Sequence, residues 1–226
     1  LTGDTSATSF PLEVKKSDVT TKGGDKTGTN TKKVEDDSNI QLQNNKDEIN
    51  NFENVTLIST AHGINPKLKT EIIKNNTLVE TTCPIVLKNN NKIIDYFNKG
   101  YTVIYIGKHN HQESDAIIDY ITLVENVEDI QSLQIDSPLI VLTNQTTMSI
   151  KDIEDCTKAL SEMYPNALID TIICPATKER QLELLENLKK YHDKKDKWLI
   201  IGDKQSNNTR KLSELCNHFT TNFHYV

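Results

Sequence analysis

Two cysteines, Cys83 and Cys174, occupy matching places in the sequence, since each stands between a predicted strand and a proline. A thiolate at such a place can bind a soft metal centre, either zinc or an iron–sulfur cluster. A free cysteine can equally serve as a small buried apolar residue. Because the placement is repeated, we favour the ligand role for this pair. Cys156 and Cys216 fall within or near the end of helical patterns, and we expect them to pack in the core.

A second set of reactive side chains comprises His62, His111 and Glu113. His109-x-His111-x-Glu113 has the spacing of a metal site, because alternate residues of an extended segment point to the same side. Alternatively, the imidazoles donate hydrogen bonds to an anion while the glutamic acid transfers a proton. Both interpretations stay open at this point.

Two polar loops, Gln145-Thr146-Thr147 and Ser206-Asn207-Asn208, precede helical patterns. The free N–H groups and partial positive charge of a helix N-terminus bind phosphate readily. The same residue types cap helices, and the predicted caps are Ser149 and either Asn207 or Asn208. Together with the imidazoles and thiols, the loops predict a small anionic ligand in a central cavity, with a metal or cluster beside it.

From residue 52 onward, short β-rich runs alternate with longer helical patterns. This alternation predicts parallel sheets with crossover helices, and ligands of such folds bind beyond the carboxyl ends of the strands. The candidate site residues discussed above lie at or just after the ends of predicted strands. These strands are Val55–Ser59, Leu78–Thr82, Thr102–Ile106, Tyr120–Glu125, Leu139–Thr143, Leu168–Cys174, Trp198–Gly202 and Phe223–Val226. The predicted helices cover residues 66–75, 86–99, 149–163, 177–192 and 208–219.

Composition excludes several classes of protein. The net charge of the 226-residue chain is −6, which argues against non-specific nucleic-acid binding. No apolar run approaches the roughly 18–20 residues that a membrane span needs. Four scattered cysteines without a C-x-x-C pair argue against a secreted disulfide framework. Residues 1–50 are polar and aperiodic, and we expect them to be disordered.

Six segments resemble motifs of the LytB/IspH family of hydroxymethylbutenyl diphosphate reductases, in family order over residues 54–212. Thr60-Ala61-His62-Gly63 resembles an A-H-G motif, and Glu80-Thr81-Thr82-Cys83-Pro84 resembles the cluster-ligand motif A-T-C-P. The remaining four are His111-Gln112-Glu113 for H-P-E, Asn144-Gln145-Thr146-Thr147-Met148-Ser149 for Q-T-T-L-S, Cys174-Pro175-Ala176-Thr177-Lys178-Glu179-Arg180-Gln181 for C-x-A-T-x-x-R-Q, and Gly202 with Ser206-Asn207-Asn208 for G-x-x-x-S-S-N.

The resemblance implies an α/β fold of repeated small domains, with mostly parallel sheets around a central cluster site. We place the boundaries at 1–50 (the low-complexity segment), 51–83, 84–173 and 174–226. It also implies a reaction of the methylerythritol phosphate route to isoprenoids. In this reaction 4-hydroxy-3-methylbut-2-enyl diphosphate is reductively dehydroxylated to isopentenyl and dimethylallyl diphosphates. The implied cofactor is a [4Fe–4S] cluster held by three cysteines, and the implied electron donor is of the ferredoxin type.

Residue roles follow from the resemblance position by position. The resemblance implies that Cys83 and Cys174 are cluster ligands and that Glu113 and Thr146 relay protons to the substrate. The implied diphosphate-binding set is His62, His111, Thr146, Ser206, Asn207 and Asn208, with Asn207 standing where the family usually has serine.

Two departures from the family pattern shape the expectations for this chain. The family carries a third ligand cysteine and another histidine in its N-terminal segment, and residues 1–53 contain neither. A further family serine would lie beyond Val226. We therefore expect an incomplete copy that alone neither holds a stable cluster nor turns over.

Two other functions and a cellular location complete the expectations. One alternative is a metal-dependent hydrolase using His109, His111 and Glu113, and the other is a non-catalytic diphosphate-binding fragment. The Lys and Asn bias, together with the implied pathway, suggests an apicomplexan parasite and a plastid (apicoplast) location, or otherwise the cytoplasm.

Overall fold

The computed structural model describes residues 53–191, 197–203, 206–220 and 222–225. Strands and helices alternate along these residues, as the sequence predicts. The elements are β1 (Thr56–Ile58), α1 (Pro66–Asn75), β2 (Thr77–Val79), α2 (Pro84–Asn98), β3 (Thr102–Ile106), α3 (Gln112–Asp115), a 3₁₀ turn (Ile118–Tyr120), β4 (Thr122–Val124), α4 (Val127–Gln131), β5 (Ile140–Asn144), α5 (Ile150–Met163), β6 (Leu168–Ile169), α6 (Pro175–Tyr191), β7 (Trp198–Ile200), α7 (Asn207–Phe219) and β8 (Phe223–Tyr225). The predicted disorder of residues 1–50 lies outside the described residues.

The strands form three sheets in which every pair is parallel. β1 pairs with β2, the central sheet has the order β4-β3-β5-β6, and β7 pairs with β8. The predicted mixed α/β class with parallel sheets is therefore confirmed. Each sheet falls within one of the predicted segments 51–83, 84–173 and 174–226, while the boundaries between the segments stay a prediction.

The central sheet is covered on both faces, which explains its continuously apolar strands. Ile104 and Leu142 point into one apolar cluster, where Leu160 of α5 packs. Val103 and Val141 point to the opposite face and pack in a second cluster that includes Ile93 and Tyr105. Alternate residues of β3 and β5 thus face opposite layers, so both strands are fixed in position and hold the loops that follow them.

Several predicted boundaries were wrong. The strand predicted over Leu168–Cys174 ends at Ile169, since the chain beyond Asp170 pairs with a side chain instead of a backbone. Helices α2 and α6 begin at Pro84 and Pro175, two residues earlier than predicted, because proline suits the first helical turn. Both candidate ligand cysteines therefore stand one residue before a helix.

The sequence prediction missed the short helices α3 and α4, which have four and five residues. An element of this length is too short for a helical hydrophobic period. The strand predicted over Tyr120–Glu125 is shorter, because residues up to Tyr120 form the 3₁₀ turn. Within the described residues, no helix has the length and apolar character needed to cross a membrane.

Candidate functional site

Five of the six predicted anion-binding residues line one cavity of about 600 Å³, whereas the sixth, Thr146, is buried beside Glu113 and does not line it. It opens where the loops after β1, β3, β5 and β7 meet, at the carboxyl ends of parallel strands, as expected for this architecture. Five residues selected from the sequence line it: His62, His111, Ser206, Asn207 and Asn208. The lining also includes Thr147, which the sequence indicated only as part of a polar loop, and four residues that the sequence analysis did not select as site residues: Asn110, Gln112, Asp115 and Asp203.

His62 and His111 meet edge to face, with ring centroids 5.5 Å apart. The Nδ1 atom of His111 accepts a hydrogen bond from the Glu113 backbone N–H at 3.1 Å. In the neutral ring this places the proton on Nε2, which becomes the donor. Burial, followed by the charges of His62 and Arg210, lowers the pKa of His111 to about 4. At neutral pH the cavity therefore presents a neutral imidazole at this position.

Glu113 is buried beside this imidazole and forms a pair with Thr146. Its Oε1 accepts from the Thr146 backbone N–H at 2.7 Å, and its Oε2 accepts from the Thr146 hydroxyl at 3.1 Å. Burial raises the pKa of Glu113 to about 7, although the bonds from Thr146 act in the opposite direction. A carboxyl group with this pKa carries a proton in a large fraction of molecules at neutral pH, as a general acid must.

The N-terminus of α7 forms the opposite wall of the cavity. Asn208 Oδ1 accepts a hydrogen bond from the Thr177 hydroxyl at 3.0 Å. The N-cap position belongs to Ser206, so the prediction of Asn207 or Asn208 as the cap was wrong, whereas Ser149 caps α5 as predicted. Within the described residues the Ser206 hydroxyl makes no capping hydrogen bond. This leaves it available to a ligand beside the exposed N–H groups of the helix.

Asn207 is held more tightly than its neighbours. Its Nδ2 donates to the Thr147 carbonyl at 2.9 Å and to the Thr147 hydroxyl at 3.0 Å, and its Oδ1 accepts from Arg210 at 2.8 Å. These contacts engage both ends of the side-chain amide. Asn207 therefore ties α7 to the loop after β5, and contact with a ligand through this side chain stays a prediction.

The two candidate ligand cysteines are attached to the loops that carry these groups. The Cys83 backbone N–H donates to the Ala61 carbonyl at 2.9 Å, directly before His62. The Cys174 N–H donates to the Thr146 carbonyl at 2.9 Å. Both thiols are free and partly buried. A continuous path of contacts thus joins the two cysteines through the imidazole pair and the Glu113–Thr146 pair.

Comparison with known proteins agrees with this geometry. The model of the family described as "LytB protein" matches residues 25–226. The chain belongs to the LytB family. Among curated relatives, the 4-hydroxy-3-methylbut-2-enyl diphosphate reductase of Halalkalibacterium halodurans is 37% identical over 177 residues, which cover 76% of this chain and 55% of that protein. The enzyme of the same name from Bacillus subtilis is 37% identical over 178 residues, with the same coverage.

Two solved structures have a similar fold. The E-1-hydroxy-2-methyl-but-2-enyl-4-diphosphate reductase of Plasmodium falciparum aligns with a TM-score of 0.69 at 27% identity, over 77% of this chain and 56% of that one. A structure of (E)-4-hydroxy-3-methyl-but-2-enyl diphosphate reductase, described as the terminal enzyme of the non-mevalonate pathway, aligns with a TM-score of 0.53 at 25% identity. It covers 75% of this chain and 62% of that one. The chain spans about half the length of the curated LytB relatives that it matches.

The alternative metal site at His109, His111 and Glu113 is not formed in this LytB-family chain. Gln112–Asp115 is helical instead of extended, so the three side chains diverge. His109 bonds to Glu125 through both its backbone and its ring, and Glu113 bonds to Thr146. Among the described residues, no group of three or more His, Cys, Asp and Glu side chains is placed to hold a metal ion.

The other two cysteines have the packing role expected of them. Cys156 lies in the main core cluster, and Cys216 packs with Leu188 and Ile200. Burial raises the pKa of both thiols, to about 11 for Cys156. They are therefore poor candidates for additional metal ligands.

Asn144 is a buried residue of the site that sequence reasoning missed. Its Nδ2 donates to the Ile172 carbonyl at 2.7 Å, and its Oδ1 accepts from the Ile172 N–H at 2.8 Å. The side-chain amide thus replaces one step of strand pairing and holds the segment that leads to Cys174. The available signal was an amide at the end of an apolar strand, where a buried polar group needs partners.

Proposed function

We propose that this chain carries much of the active site of a reductase that removes the hydroxyl group of 4-hydroxy-3-methylbut-2-enyl diphosphate. The observation that supports this most is the placement of a buried acid, Glu113, beside an anion-binding cavity formed by two imidazoles and a helix N-terminus. Family membership supports the same reaction, which yields isopentenyl and dimethylallyl diphosphates.

The described residues fit an iron–sulfur cluster in chemical kind. Cys83 and Cys174 are partly buried thiols, each placed just before a helix and attached to a loop of the site. Thiolates are the ligands that iron–sulfur clusters prefer. When bound, a [4Fe–4S] cluster would pass on, one at a time, the two electrons that the dehydroxylation consumes and that an external donor must supply.

The chain's own residues would bind and orient the substrate. His111 donates from Nε2, and His62, Ser206 and Asn208 present further donors around the diphosphate oxygens. Charge-assisted hydrogen bonds of this kind are stronger than neutral ones. The diphosphate would thereby be fixed so that the hydroxyl group, at the other end of the substrate, lies by the Glu113–Thr146 pair.

The number of protons that the reaction consumes indicates a role for the Glu113–Thr146 pair. Loss of the hydroxyl consumes two electrons and two protons: one proton leaves with oxygen as water, and one is added to the allylic carbon skeleton. Glu113, protonated in a large fraction of molecules at neutral pH, would donate the first proton. The Thr146 hydroxyl, 3.1 Å from its carboxyl group, would hold and pass protons between that group and the substrate.

The ligand count favours a second activity for the chain on its own, namely diphosphate binding without turnover. Two of the four cysteines pack in the core, so Cys83 and Cys174 supply two ligands, one fewer than the three that the family resemblance implies. We also propose a ferredoxin-type electron donor for this reductase and a plastid location, or otherwise a cytoplasmic one. A stoichiometric cluster with activity after anaerobic reconstitution of this chain would contradict the ligand count.

The dehydroxylation assignment can be tested by calorimetric titration of this chain with two ligands. These are 4-hydroxy-3-methylbut-2-enyl diphosphate and dimethylallyl diphosphate, which lacks the hydroxyl group. We expect tighter binding of the hydroxylated ligand, because Glu113 and Thr146 can bond to its oxygen. Glu113→Ala should abolish this preference while diphosphate affinity persists, whereas His62→Ala should weaken both ligands equally. Equal binding of the two ligands to the unmodified chain would contradict the assignment.

A further inference from the structure

We propose that Arg210 is an additional phosphate-binding residue of the cavity, which contributes a formal positive charge that the described lining residues do not carry. This inference rests on the proposed function, since it concerns the same diphosphate ligand. Arg210 is outside the set of site residues selected from the sequence, and it does not itself line the cavity.

The charges around the cavity create the need for such a residue. Of the described lining residues, none is lysine or arginine, and two, Asp115 and Asp203, are acidic. The lowered pKa of His111, about 4, leaves its imidazole neutral at neutral pH. A diphosphate brings several negative charges, and an anion taken out of water needs opposing charge as well as neutral donors.

The guanidinium of Arg210 lies next to the lining. Its Nη2 donates to Asn207 Oδ1 at 2.8 Å, and Asn207 is itself a lining residue. Arg210 lies one helical turn after Asn207 in α7, so its side chain can reach back along the helix toward the N-terminus. The Asn207 amide is in turn fixed on Thr147, which also lines the cavity.

The charge of Arg210 acts on the site even without a ligand. It is one of the groups that lower the pKa of His111. The guanidinium therefore lies close enough to the imidazole to disfavour its protonation. An anion bound between these two residues would relieve that repulsion and would be attracted by both.

Little holds the guanidinium to the protein. The Arg210 side chain is 46% exposed, and its acidic neighbour Glu214 lies 4.0 Å away, at the limit of an ion pair. Glu214 also pairs more closely with Lys211, at 2.7 Å. A guanidinium has five N–H donors in a fork that suits two phosphate oxygens at once, and the bond to Asn207 occupies one of them. The side chain can thus turn toward a ligand with few contacts to break.

The test is calorimetric titration of the 226-residue chain with inorganic pyrophosphate, using Arg210→Gln, Arg210→Lys and Lys99→Gln. Lys99 is the matched control, because it lies at the far end of α2, about 20 Å from the helix N-terminus that carries Cys83. We expect Arg210→Gln to weaken pyrophosphate binding about tenfold or more at low ionic strength, and Arg210→Lys to restore part of the affinity. Lys99→Gln should bind as the unmodified chain does.

A second measurement does not depend on the ligand. Nuclear magnetic resonance titration of the His111 ring should show a higher pKa in Arg210→Gln than in the unmodified chain. Binding by Arg210→Gln within twofold of the unmodified chain, or an unchanged His111 titration, would overturn the inference and leave the proposed function intact. A chain that binds neither pyrophosphate nor the hydroxylated substrate would overturn both.

Discussion

Replacing Glu113 by glutamine should stabilise the protein at alkaline pH. The carboxyl group is 1% exposed, and burial raises its pKa from 4.5 to about 7. Glutamine has the shape of the protonated acid: its Oε1 can accept from the Thr146 N–H while its Nε2 donates to the Thr146 hydroxyl. The substitution therefore removes the ionisation and preserves the hydrogen bonds.

The size and sign of the effect follow from the pKa difference. Because the folded pKa lies above the unfolded pKa, the folded state holds the proton over a range where the unfolded state has released it. Ionisation therefore lowers the free energy of unfolding as pH rises from about 4.5 to about 7. A difference of roughly 2.5 pKa units corresponds to about 3 kcal/mol, most of which develops between pH 5 and pH 8.

The measurement is urea-induced unfolding of both proteins at intervals from pH 5 to pH 8. His111 has a lowered pKa and makes stability rise over part of the same range, so the two groups oppose each other in the unmodified chain. The effect of Glu113 ionisation is therefore isolated by the difference in unfolding free energy between Glu113→Gln and the unmodified chain. We expect this difference to grow by about 2–3 kcal/mol in favour of the variant toward pH 8. The exposed Glu162→Gln control should stay within about 0.5 kcal/mol at every pH. A difference that does not change with pH would refute the buried-acid argument.

Three further substitutions test how the site is supported. Asn144→Ala should destabilise the fold by about 1–2 kcal/mol, since it leaves the partly buried N–H and carbonyl groups of Ile172 unpaired. It should also speed alkylation of Cys174 several-fold while Cys83 reacts at an unchanged rate. Mass spectrometry of the alkylated thiols checks this. Equal acceleration of alkylation at Cys83 and Cys174 would indicate that the substitution destabilises the whole fold and not the segment that leads to Cys174. The two serines before helices should separate stability from binding. Ser149→Ala removes a cap and should lower the free energy of unfolding by about 1 kcal/mol without affecting pyrophosphate affinity. Ser206→Ala should instead weaken pyrophosphate binding and leave the free energy of unfolding unchanged, because its hydroxyl makes no capping hydrogen bond. Thermal unfolding and calorimetry check both, and a large loss of stability in Ser206→Ala would show a hidden structural role.

The sequence was informative where a physical preference is local and periodic. The apolar runs Thr102–Ile106 and Leu139–Thr143 predicted two central strands, because burial on both faces demands apolar residues at consecutive positions. Both predicted strands are followed by polar residues, and ligands of parallel sheets bind beyond the carboxyl ends of the strands. His111 and Thr146 were therefore predicted to lie at one edge of the sheet. Since parallel strands present their carboxyl ends together, no knowledge of the remaining fold was needed for that step.

The hydrogen-bond partners of the site's side chains could not be predicted from the sequence. The pattern His109-x-His111-x-Glu113 predicted three groups on one side only if the chain were extended. The short helix α3 turns Glu113 inward to Thr146, 33 residues away. Likewise, the position of Asn207 beside a helix suggested a cap. Its side-chain amide instead donates a hydrogen bond to the carbonyl of Thr147, which lies 60 residues earlier in the sequence. Long-range hydrogen bonds of buried groups decided both cases.

The loop after β5 connects the parts of the proposed chemistry. The Thr146 N–H holds the acid Glu113, and the Thr146 carbonyl holds the backbone of Cys174. The next residue, Thr147, binds Asn207 at the N-terminus of α7. Two consecutive residues thus fix the acid, a candidate cluster ligand and the phosphate-binding helix relative to one another. Each of these three bonds uses a backbone group of the loop, whereas the Thr146 hydroxyl bonds to the Glu113 carboxyl group, between which and the substrate it would pass protons. A change in the loop backbone should therefore disturb all three functions together, whereas a change in the Thr146 side chain should leave the bonds to Cys174 and Asn207 in place and affect the Glu113–Thr146 pair.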